Sequence, residues 1–169
     1  MSLMLDRDSK KMRANELFLR ASSQEDKGKL LSAFRLYLAA AKLGDTSCQI
    51  NVANFYADGR GIKPNRKAAI EWYTKAYRQG ERSAASNLGA MFRDEGRFKE
   101  ALTWYERAVK LDDGDANLQI AKIHLREPQQ RMQAISRLEK IETMPSDDVT
   151  PSAKQEARLL LRKLRRLCM

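Results

Sequence analysis

The sequence is poor in the residues that carry most catalytic and secreted-protein chemistry. In 169 residues it has one histidine, His124, and two cysteines, Cys48 and Cys168. A lone histidine with no second histidine or cysteine beside it offers no metal-ligand spacing. Two cysteines 120 positions apart allow a single bridge but imply no disulfide framework, so a reducing compartment is the default. With 4 prolines and 8 glycines, long disordered linkers are not the main content. No apolar run approaches the roughly 18 residues of a membrane span. The opening MSLMLDRDSKKMRA has neither an apolar core nor a small-residue cleavage site, so no secretory signal is read and a cytoplasmic location is expected. GxSxG, P-loop and GxGxxG patterns are absent. Asp112-Asp113-Gly114-Asp115 has the acidity of a calcium loop but lacks its closing ligand, and reads as a turn leading into a helix. No catalytic residue, metal or cofactor is therefore expected.

What is present is charge and helical periodicity. Charged residues make up 32% of the chain and the net charge is +10. The excess is uneven. Residues 31–80 carry eight basic against three acidic side chains and residues 152–169 carry six against one, whereas 81–151 is slightly acidic. Such a balance suits acidic partners, nucleic acid or an anionic surface without choosing among them.

Three segments align: SAFRLYLAAAKLG from Ser32, AAIEWYTKAYRQG from Ala68 and EALTWYERAVKLD from Glu100. Each has a small residue (Ala33, Ala69, Ala101), then a pair of large side chains (Leu36-Tyr37, Trp72-Tyr73, Trp104-Tyr105), then a second alanine (Ala40, Ala76, Ala108). A fainter copy holds Ala134, Leu138 and Ile141. The leading alanines lie 36, 32 and 33 residues apart. Before each copy runs another helical pattern, marked by Phe18 and Ala21, by Val52, Ala53 and Tyr56, by Leu88, Gly89 and Phe92, and by Ile120, Ala121 and His124. A small residue admits a neighbouring helix closely and the ring fills the space beside it. Each unit is thus a helix pair, with the Trp-Tyr pairs and Cys48 read as core and His124 as a packed ring.

These residues resemble the tetratricopeptide and Sel1-like repeats. Leu88-Gly89, Phe92, Ala101, Trp104-Tyr105 and Ala108 match the tetratricopeptide form. Tyr56, Gly59, Gly61, Ile62, Pro64, Asn65, Ala69, Trp72-Tyr73, Lys75-Ala76 and Gly80 match the Sel1-like form. The resemblance implies an all-α, right-handed superhelical solenoid of about four antiparallel helix pairs with a C-terminal capping helix. The expected organisation is a solenoid over 1–143 with repeats at about 9–44, 45–80, 81–113 and 114–143, a linker at 144–151 and a basic amphipathic capping helix over 152–169.

The second repeat differs from its neighbours. Small residue to leading alanine is 12 positions in the first and third repeats (Ala21 to Ala33, Gly89 to Ala101) but 16 in the second (Ala53 to Ala69). Four residues are inserted in its hairpin, where Gly59 and Gly61 can take positive φ, Pro64 stops the first helix and Asn65 can cap the next. Gly28 and Gly96 mark the tighter turns. At the ends, the opening helix over 9–22 is expected to turn Met12, Leu17, Phe18 and Ala21 inward. The last helix has Thr150 with Pro151, or Ser152 with Gln155, as its start signal, and an inward stripe of Ala153, Ala157, Leu160, Leu161 and Leu164.

The resemblance also implies that the first helices line a concave groove. Its expected partner-binding residues are Asn15, Phe18, Ser47, Ile50, Asn54, Ser86, Arg93, Leu118 and Lys122, with Ser22, Ala57, Ser83, Ala90, Asp115 and Leu125 also facing the groove. Phe18 and Ser22 stand where some tetratricopeptide domains begin a carboxylate clamp, so that clamp is not expected. The leading expectation is a non-catalytic, monomeric scaffold that holds an extended peptide or a helix of another protein. The alternative is RNA or anionic-surface binding through 60–78 and 154–166, with Arg158, Arg162, Arg165 and Arg166 as its basic surface. An enzyme is the third class, without a nameable constellation.

Overall fold

The computed structural model describes residues 2–166, with side chains from residue 6 onward. Cys168 lies outside the described residues. Among them the structure is helical throughout, without a strand, and the chain divides into two compact units, Met1–Glu81 and Arg82–Met169.

The first unit contains α1 (Ser2–Asp26), α2 (Leu30–Lys42), α3 (Thr46–Asp58) and α4 (Arg66–Tyr77), each packed on the next. The fully buried alanines Ala21, Ala33, Ala40, Ala53, Ala69 and Ala76 bring the helices together, and Tyr37, Tyr73 and Phe55 fill the spaces between them. The sequence pointed to Tyr56 as the ring of α3. The structure buries Phe55 instead, 5.8 Å from Phe34 and 6.0 Å from Tyr37, while Tyr56 is half-buried edge-on to Phe34.

Two expectations for α1 are corrected. The helix reaches from Ser2 to Asp26 rather than over 9–22, and Met12 points outward at 73% exposure. Ala14 and Ala21, seven residues apart, set the face that meets α2, and Met12 stands on the opposite side.

The α3–α4 hairpin follows its sequence signals. Asp45 caps α3 by accepting from the Cys48 amide at 2.7 Å, and Gly59 ends it at φ 68°. Asn65 begins α4 by accepting from the Ala68 amide, and its own amide donates to the Tyr56 carbonyl at 2.8 Å, closing the loop. The extra residues pack back on the unit. A Cβ on Gly61 would stand 2.5 Å from Leu30 Cβ, so the loop rests on the start of α2. Arg60 pairs with Glu25 at 2.9 Å and lies over the Phe55 ring, while the Tyr37 hydroxyl donates to the other Glu25 oxygen. The insertion thus ties α1, α2 and α3 together.

The second unit contains α5 (Arg82–Asp94), α6 (Phe98–Val109), α7 (Asp115–His124), a 3-10 turn (Pro128–Gln130), α8 (Arg131–Thr143) and α9 (Pro151–Arg166). Here Tyr105 lies on the bare backbone of α5, where a Cβ on Gly89 would stand 2.7 Å from its ring. Leu118, Ala121, Leu138 and Ile141 form a core closed by Ala153, Ala157, Leu161 and Leu164 of α9. Thr150 starts α9 by accepting from the Ala153 amide, with Pro151 in the first turn. The segment before it is less polar in role than its composition suggests. Val149 is buried against Gly114, and the Gly114 amide donates to the Asp148 carbonyl.

Candidate interaction surface

The expected groove positions fall into two groups, one in each unit. In the first unit Asn15 and Ser47 are exposed and Ile50 is half-buried, and none of the three makes a side-chain hydrogen bond or ion pair among the described residues. Phe18 is half-buried with its ring 5.9 Å from Tyr37. Asn54 is committed, because its Oδ1 accepts from the Tyr73 hydroxyl. In the same unit, α1 and the α2–α3 corner enclose a cleft of about 690 Å³ whose charged lining is Asp6, Arg7, Asp8, Lys10, Lys11 and Asp45, and none of the expected groove residues lines it. Asn15 follows the cleft residue Ala14, and Ser47 follows Thr46. Lys10 pairs with Asp6 at 2.7 Å, whereas Arg7 and Lys11 have no ionic partner among the described residues.

In the second unit the corresponding side chains are used internally. Arg93 donates to Gln119 on α7 at 2.9 Å and pairs with Asp94. Ser86 donates to Asp113, at the approach to α7. Lys122 pairs with Glu156 on α9 at 2.7 Å. Leu118, at 3% exposure, belongs to the core rather than to any groove, because α7 is covered by both α8 and α9. These contacts join successive first helices, a use that sequence spacing alone does not signal, since each partner lies about a repeat away.

The basic surface divides in the same way. Arg158 pairs with Glu142 and Arg165 with Glu139, while Arg162 and Arg166 have no ionic partner among the described residues. Trp72 and Trp104 are half-buried, unlike Tyr73 and Tyr105 beside them, and each carries a cation over its ring: Lys75 at 4.9 Å and Arg107 at 4.2 Å. Each pair therefore divides into a buried tyrosine and a half-buried tryptophan, and Trp72 packs against the core of its unit as the sequence suggested.

The buried hydroxyls differ between units. Burial, with Asp58 nearby, pushes Tyr73 up to about 12, and its hydroxyl has a partner. Burial also pushes Tyr105 up to about 12, opposed by Arg93 and supported by Asp94 and Asp113. Its hydroxyl has no hydrogen-bond partner, because Ala90 stands where Asn54 stands in the second repeat. Cys48 is buried, and desolvation and then Asp45 push its thiol upward, which makes it inert. His124 Nδ1 meets Gln130 Oε1 at 2.6 Å. Among the described residues no group of three potential ligands could hold a metal, and no helix is long and apolar enough to cross a membrane.

The sequence matches the Sel1 repeat family over residues 29–45 and 46–81, and the tetratricopeptide repeat family over 83–115. Chitin synthase regulatory factor 4 of Schizosaccharomyces pombe is 30% identical over 96 residues, which are 55% of this chain and 15% of that protein. A Sel1 repeat protein from Oxalobacter formigenes superposes with a TM-score of 0.68 at 22% identity, covering 89% of this chain and 62% of that one. A protective antigen present in uropathogenic Escherichia coli strains, displaying an SLR fold, gives 0.58 at 21% identity over 89% and 45%. The chain spans less than two thirds of the length of each of these relatives, and the two solved structures bear on the fold alone. Repeats of these two kinds generally mediate protein–protein interaction and are typically non-catalytic. With repeats of both kinds in one all-α, solenoid-class fold, the chain belongs to the tetratricopeptide and Sel1-like repeat family.

Proposed function

We propose that this chain is a non-catalytic interaction module that takes an extended segment of another protein on the first-helix surface of its first unit. The observation that carries the reading is the contrast in commitment. Asn15 and Ser47 are exposed, make no side-chain hydrogen bond or ion pair among the described residues and each follow a residue that lines an open cleft, and Ile50 is half-buried, whereas Arg93, Lys122 and Leu118 are occupied within the second unit. Exposed amide and hydroxyl groups suit the backbone of an extended peptide, and Ile50 and Phe18 offer it apolar contact. The cleft end is of mixed sign, with Asp6, Asp8 and Asp45 beside Arg7, Lys10 and Lys11, so its charge selects neither acidic nor basic side chains.

RNA or anionic-surface binding through 60–78 and 154–166 has less support. Arg60 is held by Glu25, Lys75 covers Trp72, Lys154 donates to the Met144 carbonyl, and Arg158 and Arg165 are paired. No aromatic ring lies on the outer face of α9 for a base to stack on. The test is selection of binding peptides from a random library, followed by titration against Ile50→Glu and against Arg93→Ala with Lys122→Ala. The first change is expected to abolish binding and the second pair to leave it within about twofold. The reverse pattern, or peptides that bind both equally, refutes the assignment.

A further inference from the structure

The first and last helices each leave a face uncovered that combines exposed apolar side chains with charge, and the two faces are opposite in sign. On α1 the side turned away from Ala14 and Ala21 carries Met12, 73% exposed, and Leu19, 60% exposed. Asp8, Glu16 and Asp26 share that face at helical spacing, and all three are exposed. Glu16 has only a loose contact of 3.6 Å with Arg20, and Asp8 and Asp26 have no ionic partner among the described residues. On α9 the side turned away from Ala157 and Leu161 carries Leu159, 57% exposed, flanked by Arg162, Lys163 and Arg166. None of these three cations has an ionic partner among the described residues. Their neighbours Arg158 and Arg165, on the flank facing α8, are both paired.

We propose that copies of this chain associate head to tail, with the Met12–Leu19 face of α1 in one copy seated on the Leu159 face of α9 in the next. Charge selects this pairing. Two α9 faces in contact would bring six uncompensated cations together, and two α1 faces would oppose their own carboxylates. Both symmetric dimers are therefore disfavoured. An α1 face on an α9 face covers Met12, Leu19 and Leu159, three of the five large apolar side chains exposed among the described residues, and pairs carboxylates with guanidinium and ammonium groups. Such a contact is heterologous, so it leaves one free face of each kind and propagates until it closes into a ring or stops. With three apolar side chains and exposed ion pairs, it is weak, reversible and weakened by salt.

The experiment is sedimentation equilibrium of the whole chain across a concentration series. In low-salt buffer the weight-average mass is expected to rise past that of one chain, and past two at the highest concentrations. At about 1 M salt, where the screening length is about 3 Å, it falls back to one chain. Met12→Ser with Leu19→Ser, and separately Leu159→Glu with Arg162→Glu, alter exposed side chains only. Each variant alone remains a single chain, and an equimolar mixture forms pairs that stop at two, because each contributes one intact face. A wild type that stays monomeric at every concentration in low salt overturns the proposal, and this result depends on no variant. So does association that either variant retains undiminished. If the wild type is monomeric yet binds phosphatidylserine vesicles or RNA, and Leu159→Glu with Arg162→Glu removes that binding, the α9 face belongs to that ligand and the proposal fails.

Discussion

The α3–α4 and α5–α6 hairpins solve one packing problem in two ways. Both bury a tyrosine, Tyr73 or Tyr105, at the same register from a buried small residue of the preceding helix once the four inserted residues are allowed for. In the first the small residue is Ala53, the hydroxyl finds Asn54, and a long loop folds back onto α2. In the second the small residue is Gly89, the ring rests on bare backbone, the hydroxyl is unpartnered, and a Cβ on Gly96 would meet open space. The longer hairpin gains contacts beyond itself, and the shorter one gains closeness between its own two helices. The Sel1-type insertion is in this sense a tertiary element.

The largest expected difference lies in the loops. Gly61→Ala meets Leu30 as well as the positive-φ penalty and should destabilise by about 3 kcal/mol. Gly96→Ala has the same backbone penalty and open space around it, so about 1 kcal/mol is expected. Denaturant midpoints at unchanged m-value measure both. Equal effects would remove the claim that the insertion packs on α2. Next in size is Gly89→Ala. Its helix-propensity gain of about 1 kcal/mol is outweighed by the collision with Tyr105, leaving a net loss of about 1–2 kcal/mol. A more stable variant would show that the ring is not seated there.

How much of this could be read from the sequence follows the range of the interaction. Residues that act within a few positions were legible. Asn65 caps α4, Gly59 and Gly61 take positive φ, Pro151 opens α9 behind Thr150, and the alanine–tyrosine spacing marks the paired helices. Thr150 and Ser152 were equal candidates until the chain placed Thr150 against Asp115 at 2.8 Å. Residues whose role depends on a partner about a repeat away were not legible. Periodicity puts Leu118 next to the apolar stripe, on the groove side, but does not say how wide a face α8 and α9 cover. Met12 is a different case: nine residues from Ala21, it stands on the opposite side of α1 by helical spacing alone, so its inward placement misread the register. Arg93 and Lys122 occupy groove positions by register, yet Gln119 and Glu156 claim them. The uncommitted state of Asn15, Ser47 and Ile50 is likewise visible only once all the partners are placed.

A smaller effect separates the two hydroxyls by sign. Tyr73→Phe removes a hydrogen bond to Asn54 and should cost about 1 kcal/mol. Tyr105→Phe removes a buried hydroxyl without a partner and should be neutral or stabilising by up to about 1 kcal/mol. Ala90→Asn, copying Asn54, should stabilise by a similar amount, and should lose that benefit in the Tyr105→Phe background. Alkaline pH offers a parallel check. Each tyrosine is held near 12 when folded against about 10 unfolded, so the folded chain retains the proton longer. Their contribution is full below about pH 10 and is lost as the pH rises from there to about 12. Replacing either tyrosine should flatten that loss, as thermal melts across the interval would show.

The central claim, that the first unit's first-helix surface is where a partner binds, is most directly tested by backbone amide NMR of the whole chain during titration with a library-selected peptide. The account predicts shifts concentrated at Asn15, Phe18, Ser47 and Ile50, with Arg93, Leu118 and Lys122 unmoved, and no shifts in Ile50→Glu. Shifts confined to the second unit, or an Ile50→Glu chain that binds as tightly as wild type, would contradict it.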